Sequence, residues 1–227
     1  AALLIDYTLT VAVSIAAGVL AITSAMPTLH VNRVELGLAF TALLMIGNLR
    51  GLRESGRLFG IPVYFFVGSM LLLIIVGAWR WATGAILPVT AEPVATFNSG
   101  AITLFALLTA FANGCTAMTG VEAVSNGVPA FRPPESRNAA ATLVAMATLA
   151  VTMFFGITLV AHAYAIVPTD VETVVSQIAR LTFGGRGTAY YAVQIATMLI
   201  LVLAANTRSE EHTSELQSRF GISYAVF

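Results

Sequence analysis

The chain of 227 residues has no lysine, a single cysteine and only 10% charged residues. Each shortage removes a class of protein. Soluble domains carry charge on about a quarter of their residues. This one instead combines 58% hydrophobic residues with a mean hydropathy of +0.87, the composition of a polytopic membrane protein. One cysteine, Cys115, excludes an internal disulfide and a cysteine metal site. Arginine is the only source of positive side-chain charge, and the formal net charge of zero offers no basic face for nucleic acid. There is no P-loop, no HExxH and no nucleophile elbow, so an enzyme reading has nothing to rest on. His30 and His162 lack a second ligand at metal-binding spacing. Neither a cofactor nor a transition-metal site is expected.

What is there is long and apolar. A helix needs about 20 mostly apolar residues to cross the hydrocarbon layer. Six stretches qualify, at 3–26, 34–49, 59–79, 102–128, 139–166 and 190–207. Arg50, Arg53 and Arg57 follow the second, and Arg132 and Arg137 bracket the proline pair after the fourth. These five share one side of the membrane, against Arg33, Arg80, Arg180 and Arg186 on the other. The excess favours the first side as cytoplasmic, with the first helix running outward and Trp79 and Trp81 at the outer interface. In the link 167–187, Val171, Val174, Val175, Ile178 and Leu181 recur at helical spacing between Asp170, Glu172 and Gln177. They predict a short amphipathic helix on the bilayer surface, a connector rather than a lid.

Two stretches carry polar groups into this apolar background. The first is 111–128, FANGCTAMTGVEAVSNGV, where Gly114, Gly120 and Gly127 weaken a continuous helix at about 1 kcal/mol each relative to alanine. Thr116 and Thr119 can bond the carbonyls so freed. Irregular backbone at membrane depth survives only where it is buried in protein or lines a cavity. The segment therefore reads as a discontinuous helix near 112–122 beside a binding site; the plainer alternative is close packing of a neighbouring helix on the glycines. Glu122 favours the first reading, because a carboxylate at that depth faces a cavity or a partner, or is protonated. It is a candidate for proton coupling, with a structural hydrogen bond as the alternative.

The second stretch is the opening helix. Asp6, Thr10 and Ser14 recur every four residues and Tyr7 falls in the same sector, so the four share a face. Oxygens so arranged suit a hard, weakly held cation, and a carboxylate beside them balances its charge. The alternative has Thr10 and Ser14 bonded to their own backbone, with Asp6 and Tyr7 at the membrane interface.

From Arg208 the composition changes abruptly: RSEEHTSELQSRFGISYAVF carries five charged residues and resembles the in-frame translation of a common sequencing adapter. Residues 1–207 are accordingly read as the transmembrane core and 208–227 as an artefactual polar tail, and His212 with its acidic neighbours is not read as a metal site. DYTLTVAVSIAAGVLAITSA, NLRGLRESG and GCTAMTGVEAVSNGVPAFRPPE resemble the amino acid–polyamine–organocation superfamily, and within it the KimA-like branch of potassium importers. The resemblance implies an all-α integral membrane protein with a LeuT-like inverted-repeat fold, of which this sequence would hold the third to eighth helices. It implies potassium uptake coupled to protons by alternating access. Tyr7, Thr10, Ser14 and Thr119 would be oxygen ligands, joined by Thr116 from the broken segment, and Asp6 or Glu122 the proton-linked carboxylate. Amino-acid permeases of the same superfamily are the alternative, and a channel- or receptor-like bundle is the alternative of another class. The expected partners are a small cation or amino acid and the lipid bilayer, with a homodimer of the intact parent left open and no nucleic acid.

Overall fold

The computed structural model describes residues 2–49, 56–85, 103–115, 124–125, 127–169 and 171–220. No strand occurs among them. The helices are α1 (Ala2–Ala25), α2 (Arg33–Leu49), α3 (Gly56–Ala82), α4 (Leu104–Cys115), α5 (Glu135–Ala163), α6 (Val174–Thr182) and α7 (Thr188–Phe220). Among the described residues, five segments are long and apolar enough to cross a membrane: Thr8–Ala25, Pro27–Ile46, Gly60–Ala82, Glu135–Ala163 and Thr188–Thr207. They correspond to five of the six expected spans. Of the fourth, α4 (Leu104–Cys115) is described, while residues 116–123 and 126, where the break is expected, lie outside the described residues.

The chain forms two compact units, Ala1–Leu87 with Ile166–Phe227, and Pro88–Ala165. In the first, α1 packs along α7. Tyr190 meets Ser24, a Cβ on Gly18 would sit 3.7 Å from Leu201, and Ile15 and Val19 share a core with Ala205. Numbers rise on one helix as they fall on the other, so the pair is antiparallel. The seam is made of small residues: Ala21, Ala196 and Ala205 are almost wholly enclosed. Inside a bilayer, where lipid is as apolar as leucine, small residues at such a seam let backbones approach closely enough for dispersion contacts to hold the helices. Val11 of α1 and Leu36, Phe40 and Leu44 of α2 cover the other side of this core.

Gly18 lies on that seam, facing Leu201. Its missing Cβ would make an ordinary contact with Leu201, so Gly18→Ala is expected to be neutral or stabilising by up to about 1 kcal/mol through helix propensity. Gly18→Leu, which must push the helices apart, should cost about 1–3 kcal/mol. Thermal unfolding of the two purified variants in detergent checks the contrast.

Helix α3 closes this unit. Trp79 is 70% and Trp81 49% exposed at its end. Between the two indoles, Arg80 Nη1 donates to the carbonyl of Thr182 at the C-terminus of α6. A guanidinium there satisfies a helix-end carbonyl and suits the negative end of the dipole. Helix α6 corrects an expectation. It begins at Val174 rather than Val171, because Thr173 caps it by accepting from the Ser176 amide at 3.1 Å. Ser176, Ile178, Ala179 and Thr182 are buried and the helix packs on α1, α3 and α7. It is docked on protein, not spread on lipid. Gly184 and Gly185, with φ of 73° and 136°, turn the chain out of it into α7.

In the second unit, α4 exposes Leu104, Phe105 and Phe111, and α5 exposes Phe154, Phe155 and Leu159. The α5 start is held by Asn138, whose Nδ2 donates to the Arg132 carbonyl at 2.8 Å across the proline turn. Helix α7 continues past Thr207, where its apolar span closes, through the polar residues to Phe220.

Candidate functional site

Asp6, Tyr7, Thr10 and Ser14 all fall within α1. The side chains of Asp6 and Tyr7 lie outside the described residues; Thr10 and Ser14 are half-buried. What separates these two from other hydroxyls is their bonding. Thr41, Thr142, Thr148, Thr152, Thr197 and Thr207 each donate to the carbonyl one turn back, at 2.8–3.1 Å. Ser24 does the same to Leu20 at 2.7 Å. That is the usual way a helix disposes of a hydroxyl in apolar surroundings. Among the described residues, neither Thr10 nor Ser14 makes such a bond. Their oxygens are available, two turns of α1 short of the close contact at Gly18 for Thr10 and one turn for Ser14.

Thr116, Thr119 and Glu122, the other half of the expected constellation, lie outside the described residues. No cluster of three or more metal-binding side chains occurs among the described residues. His162 is exposed in the last turn of α5. His30 lies in the 3-10 turn Pro27–Asn32, with its Nε2 buried.

Sequence reasoning missed a polar network at the end of α1. Tyr190 and Ser176, both 0% exposed, bring their hydroxyls within 2.8 Å of each other. Tyr190 also reaches the Ser24 carbonyl at 3.1 Å, and Ser176 reaches Glu172 Oε1 at 2.9 Å. Two hydroxyl protons thus serve three contacts. Glu172 is held by Arg180, whose Nε and Nη2 donate to its two oxygens at 3.2 and 3.1 Å, a bidentate fork. The Thr173 amide donates to Ser24 Oγ at 3.1 Å. Gln177 donates from Nε2 to the Val167 and Glu172 carbonyls, tying the approach to α6. This network latches α6 onto α1 and α7. The only signal for it in the sequence was the Thr-x-x-Ser cap at 173–176, with Glu172 and Arg180 two helical turns apart.

Comparison with known proteins places this arrangement. The model of the amino acid permease family matches residues 1–209. The potassium transporter KimA of Bacillus subtilis (strain 168) is 53% identical over 206 residues, which is 90% of this chain and 34% of that protein. The chain therefore spans about a third of the length of that curated relative. Five segments among the described residues that are long and apolar enough to cross a membrane, and a family match that runs from residue 1 to residue 209, lead to one conclusion: this is a multi-pass protein of the cytoplasmic membrane that belongs to the amino acid permease family, in the KimA-like branch of the amino acid–polyamine–organocation superfamily.

Proposed function

We propose that the chain is part of a potassium importer that moves the ion together with protons by alternating access. The observation that carries this reading is the likeness to a potassium transporter along nine-tenths of the chain. The unbonded hydroxyls of Thr10 and Ser14 support it, since an oxygen already donating to its own backbone is a poorer ligand for a passing cation. Tyr7, Thr116 and Thr119 complete the proposed ligand set, and Glu122, with Asp6 as the second carboxylate, exchanges the coupled proton. In this reading the protein performs no chemical conversion. The family's own description, amino acid permease, supports a second reading in which the substrate is an amino acid held by backbone around the broken helix.

Uptake by the complete gene in bacterial cells lacking their own potassium importers separates the two. Saturable rubidium uptake that collapses when the proton gradient is discharged is the expected result. Saturable uptake of an amino acid without rubidium would overturn it in favour of the second reading, and non-saturating ion flux would indicate a channel.

A further inference from the structure

We propose that the groove between α1 and α2 holds one anionic phospholipid of the bilayer, its phosphate at the turn joining the two helices and one acyl chain lying between them. The groove is open and about 1000 Å³ in volume, at the upper end of the range for small-ligand clefts, about 300–1,000 Å³. Its walls are faces of α1 and α2, with Thr169 of the link before α6 also lining it. Ala12 and Ala16, one turn apart on α1, face Gly37 and Leu38 of α2. Small residues on both sides leave room for a chain, and a Cβ added at Gly37 would meet nothing within 4 Å. One face of α2 packs on the core through Leu36, Phe40 and Leu44, and with no fully buried residue in the span Pro27–Ile46 the rest of its surface is left to lipid.

The turn end of the groove is different in kind. Arg33 lines it and is exposed, with no ion pair among the described residues. The nearest carboxylate in sequence, Glu35, is two residues on and about 200° round the helix, on the other side. His30 also lines the groove, and its Nε2 is buried without a hydrogen-bond partner among the described residues. An open, mostly apolar groove ending in a guanidinium and an unsatisfied ring nitrogen is complementary to an amphiphile with an anionic head. A covering helix of apolar side chains would leave the buried His30 nitrogen without a partner. Free phosphate would answer them but gain nothing from the walls. A phospholipid phosphate satisfies both demands, and Arg prefers it for its bidentate geometry.

Native mass spectrometry of the 227-residue chain, exchanged into an equimolar mixture of phosphatidylglycerol and phosphatidylcholine, tests this. One basic residue near an anionic lipid surface favours it roughly fivefold, so a preference of that size for phosphatidylglycerol is expected. Arg33→Gln should abolish the preference, and Arg137→Gln, at an arginine of the other unit, should leave it intact. Gly37→Leu, whose Cβ meets nothing within 4 Å and whose side chain takes up space in the groove, should lower retention of both lipids. Helical circular dichroism confirms that each variant is folded. Equal retention of the two lipids by the unaltered chain, a preference that survives Arg33→Gln, retention unaffected by Gly37→Leu, or displacement of the lipid by millimolar inorganic phosphate would each overturn the proposal.

Discussion

Replacing Tyr190 by alanine is expected to cost the unit built on α1 and α7 roughly 3–5 kcal/mol, the range for emptying a fully enclosed aromatic site. Tyr190 is 0% exposed and, on α7, meets Ser24 of α1 and Ser176 of α6, so its removal leaves a cavity between three helices. Phenylalanine separates volume from hydrogen bonding. Tyr190→Phe keeps the ring, including its edge-to-face contact with Tyr191 at 5.3 Å, and removes only the hydroxyl. It should cost about 1–2 kcal/mol, because Ser176 still has Glu172 as an acceptor while the Ser24 carbonyl loses its donor. Thermal unfolding in detergent gives the ranking, and hydrogen exchange across Val174–Thr182 gives the mechanism. Both variants should speed exchange in α6, the alanine variant more. An alanine variant within about 1 kcal/mol of the parent, with α6 still protected, would show that α6 is held by its apolar face alone. The Glu172–Arg180 pair is expected to matter less: Arg180 is 41% exposed, and such pairs are typically worth below about 1 kcal/mol.

The same region shows where reading the sequence stopped. The membrane spans were legible because hydrocarbon thickness sets a length that any 20 apolar residues report, and α1, α2, α3 and α5 begin and end within four residues of expectation. The docking of α6 was not legible. Val174, Ile178 and Leu181 recur at helical spacing whether the face they make meets lipid or protein, and periodicity carries no information about which. The deciding residues were polar ones, Ser24, Ser176 and Tyr190, scattered over 166 positions, and nothing local ties Ser24 to Tyr190. Pairing of α1 with α7 was hidden for a related reason. A stripe of Gly18, Ala21 and Ala25 announces that some helix comes close without naming it. Of the candidate site, the α1 face was legible from the spacing of Asp6, Thr10 and Ser14. That Thr10 and Ser14 leave their hydroxyls unbonded, unlike most threonines of the other helices, required coordinates.

That distinction sets the expected result for the ion site. In the complete transporter, Ser14→Ala and Thr10→Val should each raise the half-saturating potassium concentration by about ten- to a hundredfold, the loss that follows from removing one bond to a charged partner worth about 1.5–3 kcal/mol. The maximal rate should fall less than the affinity, because the helices are not otherwise disturbed: both side chains are half-buried, and neither hydroxyl holds a backbone carbonyl whose release would unsettle α1. Thr41→Val is the matched control. It removes a hydroxyl of the same kind from an exposed position on α2, where the group is already committed to the Gly37 carbonyl at 2.9 Å, and uptake should not change. If Ser14→Ala and Thr10→Val behaved like Thr41→Val, the shared face of α1 would be a packing surface. The ion would then have to be held by other oxygens, and the polar stripe along the opening helix would be explained by its close approach to α7.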